Sequence, residues 1–351
     1  MNSFRETIER LEKEHRLQKN EYAMLLSPEL PEKDADMLRA RARALTDRHF
    51  GNKVYIRGLV EVTNVCRNNC YYCGLRRDNR SLHRYTLSPE IIEQCCRRGY
   101  AAGFRTFVLQ GGENPAFSRD VVVETVQRIL SSCPDSAVTL SLGEWDDASY
   151  AAFKEAGASR YLLRHETYNP DHYSRLHPAD MSLSNRLRCL DTLKRLGYQT
   201  GTGIMVGSPF QTIDDITEDL LYIERLQPEM IGIGPFIPNS ATPFAPFAAG
   251  SVDFTTRLIS ILRLMRPSAN IPSTTALATV SPGGRNAGLL AGANVVMPNL
   301  SPPDLRKDYS LYDNKAATGA EAAEGIALLA KEIAEIGLEI SKEKGDYEHK
   351  L

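Results

Sequence analysis

Along most of the chain, short apolar or β-branched runs alternate with longer segments whose apolar positions recur every three to four residues. The first pattern is that of a buried strand and the second that of an amphipathic helix. Eight runs read as strands: 54–62, 106–109, 138–142, 160–164, 203–206, 230–234, 270–272 with its continuation, and 294–297. Helical patterns lie between them, among them "SPEIIEQCCRRGYAAG", "DVVVETVQRILSSC", "SLSNRLRCLDTLKRLG" and "TIDDITEDLLYIERLQ". Ser88 and Thr212 stand where a side-chain oxygen caps a helix, and Gly103, Gly157 and Gly197 where a helix ends in a left-handed residue.

Strands that alternate with helices predict a parallel sheet, an α/β class. Eight of them over roughly 250 residues fit a closed (βα)8 barrel of the TIM type, here spanning 51–315. An open doubly wound sheet is the alternative, because no strand order is visible, yet no GxGxxG follows the first strand. Residues 1–50 predict a helical extension of two amphipathic helices separated by "SPELPEKDAD". Residues 316–351 predict a C-terminal helix and tail, the helix over "AATGAEAAEGIALLAKEIAEIG" and packed on the outside of the barrel.

Composition narrows the classes of function. The 351 residues are 42% hydrophobic and 25% charged with a formal net charge of −2, so a large core is expected. The basic excess of a nucleic-acid binder is missing, and small substrates are expected instead. The first 26 residues scatter charges through their apolar positions, which fits neither a signal peptide nor a membrane span, and a cytoplasmic protein is expected. Seven cysteines in a reducing compartment argue against a disulfide framework. Cys95, Cys96, Cys133 and Cys189, dispersed in helical patterns, read as small buried apolar groups.

In a barrel, the loops after the strands form one face, and that face carries the chemistry. The unusual residues fall there: "QGGEN" after the second strand, "GEW" after the third, "RHETYN" at the fourth, and "STTA" and "MPNLSPP" at the seventh and eighth. After the first strand comes "CRNNCYYC", with Cys66, Cys70 and Cys73. Structural zinc wants four protein ligands, for which His83 would have to complete the set. A 4Fe-4S cluster offers four irons, so three thiolates leave one iron open for a substrate or cofactor.

The spacing C-x3-C-x2-C, with Tyr72 before the last cysteine, resembles the signature of the radical S-adenosylmethionine (SAM) superfamily. The resemblance implies one 4Fe-4S cluster on Cys66, Cys70 and Cys73, whose open iron chelates SAM and whose electron cleaves it to a 5'-deoxyadenosyl radical. It assigns cofactor contacts to Tyr72, to the GGE motif of Gly111, Gly112 and Glu113, and to Ser141, Glu166, Arg186 and Met205. Glycines there allow close backbone approach to a ligand, and an arginine suits the bidentate pairing of a carboxylate. A surface ion pair is the ordinary alternative for Glu166 and Arg186.

Further blocks, "CGLRRDN", "TLSLGEW", "RYLLRHET", "MIGIGPFIPNSATP", "PGGRNAGLLAGANVVMPN" and "YSLYDNK", resemble the HydE family of FeFe-hydrogenase maturases. That family implies a radical acting on a small organometallic substrate, a cysteine-bound Fe(CO)2(CN) synthon, during assembly of the hydrogenase diiron subcluster. Transient contact with other hydrogenase maturases and with an electron donor is expected, with no nucleic acid and no membrane. Thr139, Arg164, Ser273, Thr274, Thr275 and Tyr312 are the candidate substrate contacts, in a barrel expected to be closed below by apolar side chains. Methylornithine synthase, a lysine mutase on a similar barrel, is the alternative within the superfamily, and a non-catalytic zinc protein the alternative outside it. Biotin synthase is disfavoured, because its second cluster needs strand-end cysteines that this chain lacks. Some maturases of this type carry a second cluster beyond "YSLYDNK", but no cysteine follows Cys189, so one cluster is predicted.

Overall fold

The computed structural model describes residues 3–316 and 319–347. Three helices, α1 (Phe4–Glu14), α2 (Lys19–Leu26) and α3 (Glu32–Phe50), precede the barrel. The predicted pair becomes three because His15, in the left-handed region at φ 58°, ends α1 inside the first amphipathic stretch. His15 Nδ1 then lies 2.7 Å from the carbonyl of Leu264, which docks this turn on the barrel.

The barrel runs through β1 (Lys53–Ile56), β2 (Gly58–Thr63), α4 (Pro89–Ala101), β3 (Thr106–Gly111), α5 (Arg119–Ser132), β4 (Ala137–Ser141), α6 (Asp147–Glu155) and β5 (Arg160–Leu162). It continues through α7 (Pro170–Leu176), α8 (Leu183–Arg195), β6 (Gln199–Thr202), β7 (Met205–Val206), α9 (Ile213–Leu226), β8 (Met230–Ile231) and β9 (Gly234–Pro235). Then come α10 (Val252–Met265), α11 (Thr275–Val280), α12 (Gly284–Leu290), β10 (Val295–Val296), α13 (Ile326–Ala334) and β11 (Glu339–Ser341). Six parallel strands pair in the order β2-β3-β4-β5-β6-β8. Parallel bridges Met230 to Asn270, Pro272 to Val295 and Asn299 to Leu59 carry the ladder round to β2, so the sheet closes. Every residue of β2 is buried, as expected of a strand covered on both faces. Ser88 and Thr212 cap α4 and α9, and the three helix-ending glycines have positive φ, as expected.

Several boundaries differ from the periodicity. The first predicted strand breaks at Arg57, whose side chain turns into the barrel. The fifth is two pieces, β6 and β7, and the seventh exists only as bridges at Asn270 and Pro272. The predicted C-terminal helix shrinks to α13, preceded by 3-10 turns at Gly319–Glu321 and Ala323–Gly325, while residues 317 and 318 lie outside the described residues. After α13 the chain forms β11, which pairs in parallel with β1.

That return closes the barrel floor, and polar groups rather than apolar ones close it. Thr106 Oγ1 and Arg160 Nη2 donate to the Lys344 carbonyl (2.8 and 3.1 Å), and Asn270 Nδ2 to that of Gly345 (3.1 Å). The fully buried Arg160 pairs with Asp346 at 2.7 Å. All these partners sit at the N-terminal ends of their strands, opposite the loops that carry the chemistry. Among the described residues, no helix is long and apolar enough to cross a membrane.

Candidate functional site

The cysteine loop leaves β2 and is pinned to three other parts of the mouth. Arg67 N donates to the Glu113 carbonyl (2.9 Å), Tyr71 N to that of Leu176 (3.0 Å) and Gly74 N to that of Leu311 (2.8 Å). Two glycines make these approaches possible. A Cβ on Gly74 would stand 2.0 Å from Ser310 O, and one on Gly112 2.4 Å from Val65 O and 2.7 Å from Cys66 Cβ.

Cys66, Cys70 and Cys73 are free and partly buried. Burial pushes all three thiols up, Cys73 to about 12, and neighbouring thiols add to the effect at Cys70 and Cys73. A bound metal inverts this balance and takes the thiolates. The donor set fits a cluster that takes three thiolates on three irons. A structural zinc wants four ligands, one more than the three thiols supply. The expected fourth zinc ligand is engaged elsewhere: His83 Nδ1 lies 3.2 Å from Asp308 Oδ2 and the side chain is 73% exposed.

Glu113 follows Gly111 and Gly112 at the end of β3. Its Oε2 accepts from Arg67 Nη2 (3.0 Å) and Nε (3.2 Å), and its Oε1 from the backbone N–H of Glu144 (3.1 Å). Gly143, at φ +77°, leaves room for that carboxyl, which a Cβ would meet at 2.1–2.5 Å. Glu166 has φ +66°, a conformation that costs a non-glycine residue about 1–3 kcal/mol and collects at functional sites. The turn is held by Glu166 N on the Gly203 carbonyl (3.1 Å) and by the preceding, buried His165, wedged between Thr202 Oγ1 (2.8 Å) and Asp219 Oδ1 (3.2 Å). Glu166 Oε2 lies 3.0 Å from Arg164 Nη2.

Arg186, in the first turn of α8, places Nε 2.6 Å from Glu144 Oε1 and donates from Nη1 to the Arg164 carbonyl at 3.3 Å. Burial opposes its charge, yet Glu144 beside it holds its pKa above the usual value. Tyr72 O–H pairs with His177 Nε2 at 3.1 Å, ring edge to ring face. Met205 packs with Leu176, Phe236 and Phe244 in an apolar cluster against which Tyr71 and Tyr72 rest. Ser141 ends β4, level with Gln110 of β3. The structure therefore gathers the thiols, the GGE turn, Glu166 and Arg186 at one mouth.

Reasoning from the sequence passed over Glu144, although the signal was the one that singled out Glu166: a carboxylate directly after a strand. It also passed over Glu61, fully buried in β2, which accepts from Asn299 Nδ2 (2.9 Å) and pairs with Lys315. Lys315 thereby fastens "YSLYDNK" across the mouth, helped by Asp313 N on the Pro238 carbonyl (3.1 Å). Tyr312 in this strap is half-buried, and desolvation pushes its phenol up; its electrostatic neighbours include Glu321, Glu61 and Arg164. Thr274 Oγ1 is buried without a hydrogen-bond partner among the described residues. Thr139 Oγ1 is likewise unpartnered but lies deeper, lining a cavity of about 30 Å³ with Arg57, Leu162 and Met230. Two expected substrate hydroxyls donate to the protein itself. Ser273 Oγ donates to the Arg285 carbonyl (2.8 Å), and Thr275 Oγ1 to Glu321 Oε2 (2.8 Å).

Residues 60–223 match the sequence profile of the Radical SAM superfamily. Fold and site together define a radical SAM enzyme, a class that uses a 4Fe-4S cluster and SAM. Over 268 residues, 76% of this chain and 76% of the relative, the sequence is 50% identical to the FeFe hydrogenase maturase subunit HydE of Thermotoga maritima. The chain belongs to this maturase family. It is 30% identical over 304 residues, 85% of this chain and 84% of the relative, to the 3-methylornithine synthase of Methanosarcina barkeri. Among solved structures, methylornithine synthase PylB superposes with a TM-score of 0.84 at 27% identity, covering 95% of this chain and 97% of that one. The maturase HydG superposes at 0.83 and 20% identity over 96% of this chain and 75% of that one, a likeness of fold.

Proposed function

We propose that this chain is a radical SAM maturase acting on a cysteine-bound Fe(CO)2(CN) synthon during assembly of the FeFe-hydrogenase diiron subcluster. Loaded with cluster and SAM, the site would supply a 5'-deoxyadenosyl radical, directed in this reading at the synthon's sulfur. Cys66, Cys70 and Cys73 would hold three of the cluster's four irons. Glu113, Glu166 and Arg186 would bind the amino, ribose and carboxylate groups of SAM, while Tyr72, Ser141 and Met205 would line its place. The Lys315-fastened strap and the closed floor keep water from the chamber.

The observation that carries the substrate reading is Arg164. Its buried Nε and Nη2 lack an aligned hydrogen bond among the described residues, although Glu166 lies beside it, and the Tyr312 phenol is an electrostatic neighbour. A cationic, hydroxyl-lined mouth of this kind suits the carboxylate of a cysteine-derived ligand. Other maturases and an electron donor would meet the protein transiently in the cytoplasm. The test offers the synthon and lysine in parallel to reconstituted enzyme under reductant. Adenosylated product from the synthon alone is expected, whereas 3-methylornithine from lysine would overturn the reading in favour of the mutase.

A further inference from the structure

Arg84 ties together both ends of the cysteine loop. Nη1 donates to the carbonyls of Asn64 (2.5 Å) and Leu75 (2.9 Å), and Nη2 to those of Arg76 (2.7 Å) and Asn79 (3.0 Å). Asn64 lies two residues before Cys66, and Leu75 two after Cys73. One planar fork therefore fixes the entry and the exit of the ligand segment at a single point, using the geometry that distinguishes arginine from lysine. Neighbouring contacts depend on the same wrap: Asn79 Nδ2 donates to the Gly74 carbonyl (2.7 Å), and Arg76 Nε to Asn69 Oδ1 (2.8 Å).

The charge on this fork is not cancelled locally. Its four acceptors are neutral carbonyls, and among the described residues no carboxylate pairs with it, whereas Arg67 is paired with Glu113 and Arg77 with Asp78. The loop from Arg67 to Arg84 holds five arginines against one aspartate, in a chain whose net charge is −2. The guanidinium thus stands on carbonyls that lie two residues from Cys66 and two from Cys73. Cluster potentials respond to net charge and to hydrogen bonding around the sulfurs, and a nearby cation favours the more negative, reduced state.

We propose that Arg84 is a positioning residue for the cluster: its fork holds segment 66–73 in its ligating conformation, and its uncancelled charge raises the cluster's reduction potential. The inference rests on the cluster of the class and not on the identity of the substrate, so its test needs no substrate.

Wild type, R84K, R84Q and R80Q are reconstituted anaerobically and their folding is checked by circular dichroism. Iron per chain, the rate of cluster loss to a chelator and the midpoint potential from an electron-paramagnetic-resonance titration are then measured. Both Arg84 variants should lose cluster faster than wild type. R84Q alone should show a lower potential, with a reduced fraction about tenfold smaller at a fixed poise, roughly 59 mV for a one-electron couple. The exposed Arg80 makes none of these contacts, and R80Q should match wild type. Wild-type retention and potential in R84Q would overturn the proposal, and so would an equal fall in potential in R84K, which keeps the charge.

Discussion

Arg186 Nε lies 2.6 Å from Glu144 Oε1, although one residue opens α8 and the other follows β4. Glu144 also accepts from Asn185 Nδ2, so the carboxylate is itself held. The pairing occupies one edge of the guanidinium and aims the rest. Glu144→Gln keeps the shape and drops the charge of this ion pair, and SAM affinity should fall by about tenfold, roughly 1.4 kcal/mol. Equilibrium binding of SAM at unchanged iron content checks this. Unaltered affinity would mean that Arg186 is oriented by other groups.

Gly143 is required twice over, by its φ of +77° and by the Glu113 carboxyl in the space a Cβ would fill. Gly143→Ala should cost about 1 kcal/mol of stability from the backbone alone. The larger effect should be functional, because Glu113, the proposed cofactor contact, would be displaced. Deoxyadenosine release by cluster-loaded protein should drop at least tenfold, while the melting temperature falls by only a few degrees.

The floor gives a prediction about stability. Asp346 is the carboxylate facing the fully buried Arg160, and is itself 41% exposed at the side chain. Asp346→Ala leaves a buried cation unpaired, a change worth several kcal/mol in a closed interior and, with solvent screening here, about 1–3 kcal/mol. Denaturant unfolding should show the loss at neutral pH, with SAM affinity at the far end of the barrel unchanged.

His177 supplies a pH dependence. Burial first, and then the charge of Arg186, press its pKa from 6.5 to about 3. The unfolded chain therefore takes a proton near 6.5 that the native protein refuses until about 3. Stability from this group is complete above the unfolded pKa and is lost as pH falls through that window. His177→Gln removes this contribution, so the stability gap between wild type and variant should narrow from pH 8 to pH 5. A gap independent of pH would show that His177 is not held neutral.

Barrel class, helix caps and the three-cysteine loop were legible because each rests on neighbours in sequence. Ser88 reaches Ile91 N within its own first turn, and Cys66, Cys70 and Cys73 sit in one loop. Strand limits were less legible, since Asn270 and Pro272 hold their place through single bridges to other staves. The three residues of β11 carry too little alternation to announce a strand, and only pairing with β1 makes them one. The hydrogen bonds of Ser273 and Thr275 were not legible, because hydroxyls at a mouth are read from position alone. Their partners, the Arg285 carbonyl and Glu321, arrive from later segments.

The sequence by itself determined that three thiols share one loop with no fourth beside them, because spacing within one loop is a local property. Tertiary structure decided what surrounds that set. Glu144 meets Arg186, Lys315 meets Glu61, and Asp346 meets Arg160 across separations of 42, 254 and 186 residues. Such pairs form only once parallel strands have closed into a ring, since closure brings the ends of distant strands to a common mouth and a common floor. Arg84 falls between the two cases: near its carbonyl partners in sequence, but recognisable as their common donor only when the loop has wrapped around it.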